Sequence, residues 1–226
     1  MSIASNLLSI KTSLPKPCKL IAVSKTQPAG KILEAYHAPH RLFGENKVQE
    51  LTYKAQGLPE DIDWHMIGHL QSNKVKHLAP MIGLIHGVDS TRLLAEIDKQ
   101  AGRHNRTIRC LLQVHIAREE TKFGFSETEV LSLIGGTDIL EWKNIRIEGL
   151  MGMATLTDDT DQIRSEFRSL KILFEKIKQH SCPDTVDMKE LSMGMSNDYR
   201  IAVDEGSTMV RIGTAIFGDR VTGSKL

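Results

Sequence analysis

Short apolar runs alternate with longer amphipathic stretches along the whole chain. The run KLIAVSK (19–25) contains β-branched Ile21 and Val23, reaches a lysine, and breaks through Thr26 and Gln27 into Pro28. A proline there suits the first position of a helix, so the pattern predicts a strand delivering Lys25 to its carboxyl end. A helix over 28–37 follows, with Ile32, Leu33 and Tyr36 at helical spacing. The same alternation predicts strands at 41–46, 64–68 and 84–89, separated by helices at 48–57 and 72–80. Ser90 is a good N-cap for a helix closing at Gly102, and IRCLLQVHI (108–116) reads as a fully buried strand. A short helix (127–134) and a strand (145–153) come next. The helix after them places Ile163, Phe167, Leu170, Phe174 and Ile177 at steps of four and three. ELSMGM (190–195), a helix starting near Asn197, STMVRIG (207–213) and TAIFG complete the series.

Eight strands alternating with helices predict an α/β fold, a single (β/α)8 TIM-type barrel over residues 1–226; an open doubly wound sheet has the same strand count. The 226 residues fit one domain, since such barrels run to about 200–250 residues. MSIASNLLSIKTSL at the start predicts a short amphipathic helix, too short in its apolar run for a membrane span and without signal-peptide character. The 29 basic and 28 acidic residues leave a formal charge of +1 with no basic block, which argues against nucleic acid or an anionic membrane as partner. Cys18, Cys110 and Cys182 are odd in number and lack metal or disulfide spacing, which fits a reducing cytoplasm.

In a barrel the chemistry gathers where the chain leaves each strand. Those places are Lys25, Glu45 with Asn46, 68–71, Asp89, His115, 151–154, 193–196 and 211–214. Gly213 and Thr214 turn the last strand into a helix, leaving unpaired N–H groups that suit a phosphate, and Ser196 is expected to begin the preceding helix in the same way. Phosphate sites of barrels typically lie after strands seven and eight, and closure would bring such a site beside Lys25. A lysine there acts as a point charge or as an amine forming an imine, for which a neighbouring cation such as Arg211 would lower its pKa. Arg211 has the alternative of a salt bridge to Glu148, Glu190 or Asp204. His65 and His69 are four apart but sit in an extended segment without H-E-x-x-H, so a metal is not expected. Methionines at two strand ends suggest apolar walls around a flat ligand, or simply core. No G-x-S-x-G, Walker or G-x-G-x-x-G sequence is present.

AVSKTQP, FGENKVQE, WHMIGHLQSNK, LSMGMSNDY and GSTMVRIGTAIFG, in this order and spacing, closely resemble the YggS/PROSC family of pyridoxal 5′-phosphate (PLP) homeostasis proteins. The resemblance implies a barrel like the N-terminal domain of alanine racemase, with PLP bound as an imine to Lys25. It also implies phosphate contacts from Ser196, Gly213 and Thr214, Arg211 near the pyridine nitrogen or the phosphate, and Asn46 near the ring. An arginine at that nitrogen would oppose its protonation and weaken the ring as an electron sink. The chain departs from the family pattern at VHIAREETKFGF, where His115 ends strand five, and Lys122 matches a family lysine that could pass the cofactor on.

A carrier and an enzyme both fit this resemblance. A racemase needs acid–base groups on both faces of the ring, which in alanine racemase include a tyrosine from a partner's second domain. This sequence ends soon after strand eight and offers only Tyr36, Tyr53 and Tyr199. The expectation is therefore a monomeric PLP carrier in vitamin B6 homeostasis, with apo PLP-dependent enzymes as partners. A racemase is the alternative, and a Schiff-base aldolase is a third reading.

Overall fold

The computed structural model describes residues 2–118, 123–180 and 182–218. Eight parallel strands close into a barrel in sequence order: β1 (Lys19–Val23), β2 (Leu42–Glu45), β3 (Asp63–Met66), β4 (Leu84–Val88), β5 (Ile108–Gln113), β6 (Ile145–Met151), β7 (Val186–Ser192) and β8 (Met209–Ile212). The leading helix α1 (Ile3–Ser13) precedes β1, and α2 (Ala29–His37), α3 (Val48–Gly57), α4 (Val75–Leu78) and α5 (Thr91–Arg103) follow the first four strands. Then come α6 (Glu127–Ile134), α7 (Thr160–Lys178), α8 (Tyr199–Asp204) and α9 (Thr214–Phe217). Pairing of β8 with β1, from Lys19↔Met209 to Ala22↔Ile212, excludes the open sheet.

The period-2 pattern of the strands divides two cores. Leu20, Ala22, Phe43, Trp64, Met66 and Ile85 point outward against the helices and belong to the larger apolar cluster. The inward residues Ile21, Leu84, Leu111, Met151 and Met209 form a small separate one. At the amino ends of the strands Lys19 pairs with Glu190, and Arg109 reaches Asp63 at 3.0 Å and Glu148 at 3.9 Å. The interior is thus capped by charges at one end, and the loops after the strands form the other.

Several boundaries differ from the periodicity. β7 starts at Val186, four residues before the apolar run, because charged Asp187 and Lys189, which pair with each other, interrupt Val186 and Met188, which pack into the outer core. β5 stops at Gln113, where Val114 keeps only an isolated bridge to Phe125. Pro28 caps α2 rather than opening its first turn, and α5 runs one residue past Gly102. Ser90 does cap α5, its side chain accepting from the Leu93 N–H.

β6 carries a register shift at Gly149 against both neighbours, and a Cβ there would stand 1.7 Å from the Glu190 carbonyl oxygen. Only a glycine lets β6 and β7 approach so closely. Gly149→Ala is expected to destabilise the barrel by about 1–3 kcal/mol or more, read from the urea unfolding midpoint.

Candidate functional site

β1 leaves the barrel at Val23, and the turn through Ser24, half-buried Lys25 and Thr26 leads towards α2. Both flanks of Lys25 are held by a charged cluster behind the barrel wall. The Ser24 N–H donates to Gly44 O at 3.0 Å, and its hydroxyl donates to Glu45 Oε1 at 2.6 Å. Buried Lys54 of α3 donates to Ser24 O at 2.8 Å, Glu45 Oε1 at 2.8 Å and Glu50 Oε1 at 2.7 Å. Glu50 Oε1 also accepts the Thr26 N–H at 2.6 Å, which fixes that threonine at φ +62°, an unfavourable region for a β-branched residue. Burial pushes the Glu45 carboxyl up, and the Lys54 ammonium opposes that shift.

Strand register sets the neighbours of this turn. Val23 pairs with Gly44, so Asn46, two residues on, is level with Lys25. Ile21 pairs with Arg211, and a Cβ on Gly213 would lie 3.1 Å from Val23 O, so the end of β8 is packed on the end of β1. Exposed Thr214 opens α9 directly after Gly213. Ser196 stands elsewhere than expected: α8 begins at Tyr199, three residues later. The reason is a turn in which Asp198 Oδ1 accepts the Met195 N–H at 2.5 Å and Met195 O accepts from Asp198 and Tyr199, delaying the helix. That loop is tied to β8 by the Arg211 N–H donating to Gly194 O at 3.0 Å. Gly194 has φ +94°, and its Cα approaches Ala202 too closely for any Cβ.

Arg211 points into the barrel and is 4% exposed. Nη1 donates to Ser192 O at 2.9 Å and to Ser192 Oγ at 2.6 Å, and Nη2 donates to Gly152 O at 3.1 Å. None of the carboxylates foreseen as partners takes it: Glu190 pairs with Lys19, Glu148 with Arg109 and Asp204 with Arg164. Burial pulls its pKa down to about 10, and the charge of Asp198 only partly offsets this. A buried cation satisfied by neutral acceptors alone is costly to keep and favours an anion or a lone pair brought by a ligand.

Lys25, Asn46, Arg211 and Gly213 therefore converge on one side of the barrel mouth, with Ser196 on the adjoining loop and Thr214 at the start of α9. His115 lies on the loop after β5, its N–H donating to Phe125 O at 2.9 Å, and Lys122 lies outside the described residues. His65 is buried inside the barrel, 3.0 Å from His86, whereas His69 is exposed and bonded to Asp89. No cluster of metal-binding side chains occurs among the described residues. Sequence reasoning missed Ser192, His86, Lys54 and Glu50. Inward parity with Arg211 would have found Ser192; nothing in α3 distinguishes Lys54 from a solvated helix lysine.

This architecture, a closed parallel barrel with a lysine at the end of its first strand, matches the family described as alanine racemase, N-terminal domain, over residues 1–221. The pyridoxal phosphate homeostasis protein of Aquifex aeolicus is 39% identical over 203 residues, covering 89% of this chain and 87% of that one. The human protein of the same name is 37% identical over 213 residues, covering 89% and 76%. PipY of Synechococcus elongatus, solved without PLP, superposes with a TM-score of 0.89 at 36% identity over 96% of this chain and all of that one. The chain belongs to the pyridoxal phosphate homeostasis protein family. Alanine racemase of Bartonella henselae shares the fold at a TM-score of 0.71 and 17% identity, and this chain spans 60% of its length.

Lys54→Met leaves Glu45 buried without its cation and is expected to cost about 3–5 kcal/mol by urea unfolding. A pH effect follows from the buried histidines. Burial holds His40 down to about 4 from 6.5, and lowers His65 and His86 as well. These folded pKa values lie below that of the unfolded chain, which therefore takes up protons first. Stability is complete above about pH 6.5 and falls as the pH drops, by about 1.4 kcal/mol per unit for each histidine, checked by urea midpoints at several pH values.

Proposed function

We propose that this chain binds PLP as an imine on Lys25 and stores or delivers it, as a non-catalytic member of vitamin B6 homeostasis. The observation that carries the reading is Arg211, a buried guanidinium on the strand beside that of Lys25 that no carboxylate bonds among the described residues. PipY has also been solved with PLP bound, at a TM-score of 0.85 and 36% identity to this chain. The bound aldehyde supplies an electron-withdrawing ring. Lys25 would hold it through its side-chain amine. Gly213, Thr214 and Ser196 would hold the phosphate, Asn46 would stand near the ring, and Arg211 would serve the ring nitrogen, where an always-charged donor opposes protonation.

The positions of the tyrosines favour a carrier over a racemase. Tyr36 bonds Asp61 at 2.8 Å, Tyr199 accepts from Arg200 at 3.4 Å, and Tyr53 stands exposed on α3. A monomer is the proposed oligomeric state. Apo PLP-dependent enzymes are the proposed recipients, and the cytoplasm is the proposed location. Among the described residues no helix is long and apolar enough to cross a membrane.

Reconstitution with PLP is expected to give a visible imine band that Lys25→Ala abolishes, and borohydride reduction is expected to add the mass of PLP to Lys25. A wild type that stays colourless in excess PLP contradicts the proposal. Useful turnover in deuterium exchange at Cα of alanine or serine would instead make the protein a racemase. Faster activation of an apo-enzyme by the loaded protein than by equal free PLP would identify delivery.

A further inference from the structure

The middle of this barrel contains a polar line where apolar layers are usual. Starting from Arg211, Nη1 lies 2.6 Å from Ser192 Oγ, Ser192 Oγ lies 2.9 Å from His86 Nδ1, and His86 Nε2 lies 3.0 Å from His65 Nδ1. His65 Nε2 then faces Asp63 Oδ2 at 3.5 Å. The line spans the interior from the mouth to the charged end, and Ser192, His86 and His65 are all at most 1% exposed.

Its protons run in one direction. Arg211 can only donate, so it takes a lone pair of the Ser192 hydroxyl. That hydroxyl must place its own proton on the remaining neighbour, His86 Nδ1. A neutral His86 then carries its proton on Nε2 and donates to His65 Nδ1. His65 in turn carries its proton on Nε2, aimed at Asp63. The reverse order leaves the serine proton without a described acceptor and turns a ring lone pair towards a carboxylate. Burial, joined by the charges of Arg211 and Arg109 at His86 and of Arg109 and Lys19 at His65, lowers the pKa of both rings and favours their neutral forms, with Asp63 opposing the shift at His65. Burial would raise the Asp63 carboxyl, but His65 and Arg109 together hold it below the ordinary value.

We infer that Ser192, His86 and His65 are positioning residues that hold Arg211 charged by aiming a file of lone pairs at it. Because no described carboxylate bonds the guanidinium, and the charge of nearby Asp198 offsets its burial only in part, its charge is kept for the ligand. The described bonds engage Nη1 twice and Nη2 once, which leaves Nε–H and one Nη2–H for the ring nitrogen. This last step rests on the proposed PLP site; the direction of the line does not.

Two measurements test the inference. Nitrogen-15 NMR of histidine-labelled protein without cofactor, near pH 7.5, is expected to show His65 and His86 as neutral rings protonated at Nε2. A proton on Nδ1 of either ring overturns the direction. Ser192→Ala is then expected to weaken PLP binding about tenfold and to displace the absorbance maximum of the bound cofactor, with Ser192→Thr restoring both. Ser207→Ala is the control, since that buried hydroxyl bonds only backbone groups of β7, β8 and the loop after β7. It should cost stability and leave the band in place. An unmoved band and affinity in Ser192→Ala overturn the positioning role. A wild type that forms no imine at all overturns the cofactor reading and the ligand step with it, and the cofactor-free NMR result tells the two failures apart.

Discussion

The pairing of β8 with β1 is the contact on which the site depends. Every other neighbouring pair of strands is also consecutive in sequence, joined by its own crossover, but β1 and β8 meet only because the sheet closes. Their register from Lys19↔Met209 to Ala22↔Ile212 puts Gly213 against Val23 O, so two loops far apart in the chain share one corner of the mouth. Without closure, Lys25 and Arg211 would lie on opposite edges of an open sheet, and neither would have a ligand partner in common.

Two buried cations in this protein are treated in opposite ways, and the contrast separates a structural charge from a functional one. Lys54 is 7% exposed and bonded to two carboxylates and a backbone carbonyl. Its charge is consumed locally, and what it provides is the conformation of the turn that presents Lys25. Arg211 is 4% exposed and bonded to two carbonyls and a hydroxyl. A chain of dipoles lowers the cost of burying it without cancelling its field, so the field extends to the mouth.

Most of the fold was legible in the sequence because strands in a parallel barrel are buried on both faces and read as apolar runs between helical patterns. The part of β7 from Val186 to Lys189 escaped because charged Asp187 and Lys189, paired with each other, break its apolar run. Lys25 and Gly213 were legible as strand ends. The proposed start of a helix at Ser196 failed because a side chain two residues on, Asp198, bonds back to Met195, a local competition that periodicity does not register. The clamp around Lys25 was illegible for a different reason: Glu45, Glu50 and Lys54 look like ordinary solvated charges until the wall of the barrel covers them.

The polar interior also accounts for an apparent economy in the apolar one. The inward cluster of Ile21, Leu84, Leu111, Met151 and Met209 is small beside the outer core, so the interior contributes little to stability through apolar burial. A barrel can tolerate this because the outer layer between strands and helices holds it together. The interior positions are then released from packing to carry a hydrogen-bonded polar line from one end of the barrel to the other. Asp63 and Arg109 anchor the far end of the line among the interior ion pairs, where partly exposed charges can remain hydrated. The near end terminates in a guanidinium held away from water. An electrostatic gradient built this way does not depend on the loops at the mouth, because every group in it is fixed to a strand.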